Sequence, residues 1–346
     1  MNNIKNEKDM NPDEWIALKR KTHGYSETKY KDQDFWAEMT AAAEENHVDL
    51  SNIAEKNDIW RDEKIIEVVK SIMILNEEQS LALKSVNIYI YPTPDIRARV
   101  ATTPKGDKLI LLHSGLIHTI FQISQLIALM ENPKLYSEYM NKEGVLTALC
   151  ADIGRSFSDD IKKIKFDHKL TVIPLNRDQY NTAATIAYGC IIFIIAHEIG
   201  HLVHNHLGYT NNEKLNHKAE FEADEIACDI FYQYCKTSIL TLTKPQVDSL
   251  FCVPFMAIGI INMLSTSTVG HPSPKTRLEK ILLNLKRKIN FENKSKKNMI
   301  LKFEINLLYL DFSAKALKLK GAFIYKLLTQ MGKYMDEMHE KSPYIC

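Results

Sequence analysis

From Ala183 to Ala196 the chain is almost continuously apolar, and the run closes on His197-Glu198-Ile199-Gly200-His201. At about fourteen residues the run is shorter than the ~20 needed to cross a bilayer, so it is predicted to be a buried helix. One residue advances a helix by about 100°, so with His197 at zero His201 falls near ~40° and Glu198 near ~100°. Both imidazoles then reach one cation from adjacent turns, while the carboxylate reaches water beside that cation.

This is the layout of metal-assisted hydrolysis. Zinc lowers the pKa of a water it holds towards ~7, and a nearby carboxylate takes the proton as the water attacks a polarised carbonyl. His197 and His201 are therefore candidate zinc ligands and Glu198 the candidate base. The competing reading is a buried helix whose His and Glu fall in register by chance.

A catalytic zinc needs a third protein ligand and an open position. Glu220-Phe221-Glu222-Ala223-Asp224 follows the motif after residues 202–219. On a helix Glu220 and Asp224 share one face and Glu222 points roughly the other way. A solvated acidic helix, with Ile226, Ala227, Ile230 and Phe231 as its buried stripe, would carry the same pattern. His204 lies near the metal face and competes for ligation, although a polar residue at a helix end is the simpler reading; His206 is expected to point away. A metzincin would need Gly at 204 and His at 207, where this chain has His204 and Leu207. Cys190 lies two turns before His197, about 10 Å along the axis, too far to ligate from the same helix.

Interval and residues together resemble the gluzincin metallopeptidases. The resemblance implies that Glu220 is the third ligand and that Asp224 holds His197, as a carboxylate on the far nitrogen of a ligand histidine would. Downstream, Gly270-His271-Pro272-Ser273-Pro274-Lys275-Thr276-Arg277-Leu278 places a proline-set turn before a helix. Its HP-x-x-x-x-R pattern is similar to one in the prenyl-protein and heat-shock zinc peptidases and in the soluble Lit-type phage-exclusion peptidases. By that resemblance His271 helps stabilise the oxyanion, and Arg277 fixes the site's acidic groups or the substrate backbone.

The likeness to Lit-type peptidases extends upstream. Ile96 to Val100 alternates as a strand should, Pro104-Lys105-Gly106-Asp107 supplies turn residues, Lys108 to Leu112 returns, and Ser114-Gly115-Leu116-Ile117 opens an apolar helix. The resemblance, over roughly residues 85–285, implies that a strand of this kind lies beside the active-site helix and pairs with an extended substrate. An ordinary internal hairpin is the alternative. The expected fold is α+β and mostly α-helical. A zincin-like, minimal gluzincin core with a small mixed sheet beside the HExxH helix occupies 85–285, with helical additions over 1–84 and 286–346.

A formal net charge of +1 offers no general attraction for nucleic acid or acidic lipid, and the locally basic stretch from Lys286 to Lys297 reads as a solvated helix and loop. Six scattered cysteines without a CxxC pair suggest reduced core thiols. The polar N-terminus does not read as a secretion signal, so cytoplasm is the expected location. The apolar runs at Ala183–Ala196 and Cys252–Leu264 both read as buried helices, which separates this chain from the membrane-embedded prenyl-protein and heat-shock enzymes. No membrane or nucleic-acid partner is expected.

The expected activity is that of a single-zinc endopeptidase cleaving a specific intracellular protein, which the Lit resemblance connects with phage exclusion. A regulatory peptidase that cuts a repressor in a mobile element is the alternative enzyme. A non-catalytic zinc-binding sensor is the alternative of a different class. The helical flanks are candidate sites for an activating or regulatory protein or peptide.

Overall fold

The computed structural model describes residues 6–22, 86–91, 97–130, 132–140, 173, 175–206, 212–238, 242–243, 246, 249–250, 253–263 and 271–295. The described architecture is mostly helical with one small mixed sheet, which is α+β. Of the helical additions expected over 1–84 and 286–346, residues 23–84 and 296–346 lie outside the described residues. The chain divides into two compact units, Met1–Ala187 with Pro343–Cys346, and Tyr188–Ser342.

In the first unit the order of elements follows the chain's own punctuation. Strands β1 (Asn87–Tyr91), β2 (Ala98–Thr102) and β3 (Lys108–His113) form a sheet in the order β1-β3-β2. The expected hairpin is present, with Ala98 opposite Leu112 and Thr102 opposite Lys108. Its turn is closed by Asp107 N–H donating to Thr103 Oγ1 at 3.1 Å, and by Gly106, whose φ of 99° suits a residue without Cβ. β1 is an addition to the sequence reading: it runs parallel to β3, with Asn87 opposite Leu109 and Tyr91 opposite His113. Flanked on both edges, β3 buries Leu109, Ile110, Leu111 and Leu112 on both faces, as an unalternating apolar run requires.

Helix α1 (Pro12–Thr22) supplies Ile16 to the cluster of Tyr91, Leu109 and Leu111, with Trp15 and Tyr89 packed at its edge. The Tyr89 hydroxyl donates to Asp13 at 2.7 Å and ties the helix to the sheet. Residues Asn11 and Glu14 form a reciprocal capping box at the start of α1. Helix α2 (Ser114–Leu129) leaves β3 without a gap and packs back on it through an almost wholly buried apolar face, and α3 (Pro133–Met140) follows.

Helix α4 (Arg177–Val203) is longer than its apolar run. A second reciprocal box, between Asn176 and Gln179, starts it, and Thr182 and Thr185 extend its buried face ahead of the apolar core. At this length and composition α4 is long and apolar enough to cross a membrane, although most of its apolar window is buried inside the protein.

In the second unit α5 (Glu213–Ser238), α6 (Val253–Met263) and α7 (Pro274–Ser295) complete the frame, α7 packing on both α5 and α6. The Phe193 and Phe231 rings meet edge to face with centroids 5.9 Å apart, which locks the C-terminal half of α4 onto α5. Cys190 and Cys228 are buried and Cys235 half-buried, and all three are reduced thiols outside any disulfide. Burial pushes the Cys235 thiol up to about 12.

Candidate metal centre

Helices α4 and α5 approach each other where small residues allow it. A Cβ built on Gly200 would stand 2.5 Å from the Ala223 Cα and 2.9 Å from its carbonyl oxygen, so only glycine fits. This crossing brings the end of the apolar helix against the acidic helix, one turn from the residues with the chemistry.

His197 and His201 face each other with Nε2 atoms 3.1 Å apart. Glu220 lies across from both, its Oε2 at 3.4 Å from His197 Nε2 and its Oε1 at 3.5 Å from His201 Nε2. Bonds of ~2.0–2.1 Å to a tetrahedral ion place the ligand atoms about 3.3 Å apart, so the observed spacings match what one ion needs. The donor set of two imidazoles and a carboxylate, with all three atoms within 4.8 Å of one another, can hold a metal ion. Glu198 follows His197 on the same helix and is half-buried.

Behind the donors is a buried charge network. Asp224 Oδ1 accepts from His197 Nδ1 at 3.0 Å. Arg277, fully buried on the first turn of α7, donates to Asp224 through Nε at 2.9 Å and Nη2 at 2.6 Å, and its Nη1 is 3.1 Å from Glu220 Oε2. The helix that carries Arg277 starts as its sequence suggests, with Ser273 Oγ accepting from Thr276 N–H and Pro274 in the first helical position. His271, just before it, sets Nδ1 3.1 Å from Glu220 Oε2.

These contacts set the charges. Burial works against protonated His197, but hydrogen bonds to Asp224 and Glu220 outweigh it and hold its pKa at about 9. Burial, followed by the positive charge on His197, pushes His201 down to about 3. Burial also opposes charge on Glu220, yet hydrogen bonds from His197 and His271 keep its carboxyl well below the usual carboxylate range. In Asp224 the desolvation is overcome first by Arg277, and the carboxyl is again held low.

The structure thus brings together His197, His201, Glu220, Asp224, His271 and Arg277. Arg277 has no exposed surface, so of the two roles expected for it only the hold on the site's acidic groups is sterically open. An oxyanion role for His271 needs a hydrogen on Nε2, which the neutral ring lacks when Nδ1 donates to Glu220.

One expectation is overturned. His206 does not point away: its Nδ1 is 3.1 Å from His201 Nδ1. Helix α4 ends at Val203, Asn205 takes the left-handed conformation at φ 54°, and His206 N–H bonds back to the His201 carbonyl at 2.9 Å. With Asn205 N–H on the Leu202 carbonyl at 3.1 Å this is a Schellman cap, which folds residue 206 back over the last turn. Helical periodicity does not apply to residue 206, because the helix stops at Val203. Asn205, a residue tolerant of that conformation, was the available signal. His204, the rival ligand, is exposed and stacks on His206.

No curated protein and no solved structure matches the chain. Residues 156–298, which include the α4 and α5 segments that carry His197, His201 and Glu220 and the His271–Arg277 segment but not the hairpin, match the model of the Peptidase U49 family, the Lit-type peptidases, and this similarity supports a peptidase function.

Proposed function

We propose that the chain is a zinc-dependent endopeptidase of zincin type, held on the α4–α5 pair, that cleaves a specific intracellular protein by general-base hydrolysis. The observation that carries the reading is the convergence of His197 Nε2, His201 Nε2 and the Glu220 carboxylate at ligand spacing, with Glu198 next in sequence to the first ligand. Three ligand residues in the cluster, among the described residues, is the count of a catalytic zinc site, since structural sites use four.

A divalent ion on these residues would polarise the substrate carbonyl and acidify water beside it. Glu198 takes the water's proton and returns it to the leaving amine. Asp224 fixes His197 so that Nε2 presents its lone pair, and Arg277 keeps both buried carboxylates charged and in place. His271 orients Glu220 through Nδ1, at 3.1 Å from Oε2. Zinc is favoured by the ligand types, although His and carboxylate also suit other first-row ions.

The family match supports peptidase activity; the narrower task proposed here is cleavage of one host protein during phage infection in the cytoplasm, with an activating protein or peptide acting as the trigger. The test compares parent and Glu198→Gln protein for metal content and for new protein termini in cells expressing each. Retained metal with cleavage lowered by about 10²–10⁴-fold fits a general base. Cleavage that survives the substitution overturns this mechanism, and a metal-loaded parent that generates no new termini favours a sensor.

A further inference from the structure

The second zinc-motif histidine has its own hydrogen-bond support, built from residues that the peptidase reading does not use. His201 Nδ1 is 3.1 Å from His206 Nδ1, and His206 Nε2 is 3.1 Å from Glu222 Oε2. Glu222 in turn has Lys218 Nζ at 3.5 Å from its other oxygen, one turn back along α5. His206 is mostly buried, and the Schellman turn at Asn205 determines its position.

Hydrogen counting allows one arrangement of this chain when both rings are neutral. A carboxylate only accepts, so His206 Nε2 carries a hydrogen and points it at Glu222. His206 Nδ1 is then a bare acceptor, and the hydrogen between the rings belongs to His201 Nδ1. That leaves His201 Nε2 with its lone pair facing His197 and Glu220. Asp224 contacts the corresponding Nδ1 of His197 directly, at 3.0 Å.

We infer that His206, backed by Glu222, is a positioning residue that sets the tautomer and ring orientation of His201 for metal binding. The inference rests on the proposed metal site and adds that its second histidine is held by an imidazole–carboxylate relay made by the helix cap. Support of this kind typically changes metal affinity by about 10–100-fold.

The experiment uses the full chain, stripped and reloaded, and reads zinc affinity by competition with a chromophoric chelator together with the visible spectrum of the cobalt-loaded protein. His206→Ala is expected to weaken zinc binding by about 10–100-fold and to move the cobalt bands. His206→Asn places an acceptor oxygen near the former Nδ1 and is expected to restore most of both. Adding Glu222→Ala to His206→Ala is expected to change nothing further, because the relay is already broken. Circular dichroism of the metal-free proteins checks folding. If His206→Ala does not fold, Asn205→Val, which disfavours the left-handed turn, is compared with Asn205→Gly, which keeps it. Parent-like affinity and an unchanged cobalt spectrum in the folded member of these variants overturn the inference. Zinc uptake that neither His197→Ala nor His201→Ala reduces overturns the metal site itself, and the relay with it.

Discussion

Arg277 grips Asp224 with two nitrogens, at 2.6 and 2.9 Å, and does so entirely out of solvent. Its third nitrogen faces Glu220 at 3.1 Å, so one guanidinium compensates two buried carboxylates. Removing one partner of a buried ion pair leaves an uncompensated charge and typically costs about 3–5 kcal/mol. Arg277→Met should lower the stability of the metal-free protein by that order in urea denaturation. With zinc present the loss should shrink, because a cation then faces Glu220. A loss under about 1 kcal/mol without metal would show that the guanidinium gives no net stabilisation.

The two histidines predict a stability optimum in the metal-free protein. His197, raised from 6.5 to about 9, binds its proton more tightly folded than unfolded, so its contribution is complete below 6.5 and disappears as pH rises through 9. His201, lowered to about 3, behaves oppositely: between 3 and 6.5 the unfolded chain binds the extra proton, and stability falls as pH drops. Glu220 and Asp224, both held low, add to the acid loss below their unfolded values. Denaturation curves recorded with chelator should therefore peak near 6.5 and decline on both sides. A monotonic rise from there to pH 9 would contradict the charge assignment of His197.

Gly200 sets how closely α4 and α5 approach. Gly200→Ala puts a methyl group into the Ala223 backbone, 2.5 Å from Cα, which forces the helices apart. Overpacking of this kind costs about 1–3 kcal/mol, and the shift also separates His197 and His201 from Glu220 and Asp224. Thermal unfolding should show the loss and chelator competition a weakened metal site. Ala223→Gly in the same chain should not rescue either, since the clash is with backbone atoms and not with the Ala223 methyl.

Some of this site was legible from spacing because the relevant distances are set within one element. Four residues return a helix to the same face, so His197 and His201 had to be neighbours once the apolar run from Ala183 continued as a helix through them, and the same rule joined Glu220 to Asp224. The hairpin at 98–113 was equally local, with alternation on one side of a glycine turn and an apolar run on the other. Residues farther apart were less legible. The likeness to other peptidases suggested Glu220, Asp224 and Arg277, but nothing in the chain's periodicity specifies how deep Arg277 is buried or that His271 meets Glu220. β1 was missed because its pairing is with a strand some twenty residues on, across a parallel register that leaves no turn signature.

Periodicity and turn chemistry by themselves determined the elements and the two-histidine face, because those depend on hydrogen bonds between residues a few positions apart. Tertiary packing decided which charges share the buried space: the Gly200–Ala223 approach, the Arg277 bridge between two carboxylates, and the return of His206 onto His201. A helical wheel carries direction only while the helix lasts. Past Val203 one left-handed residue reverses the chain, and what His206 touches then depends on that turn and on Glu222 of a different helix.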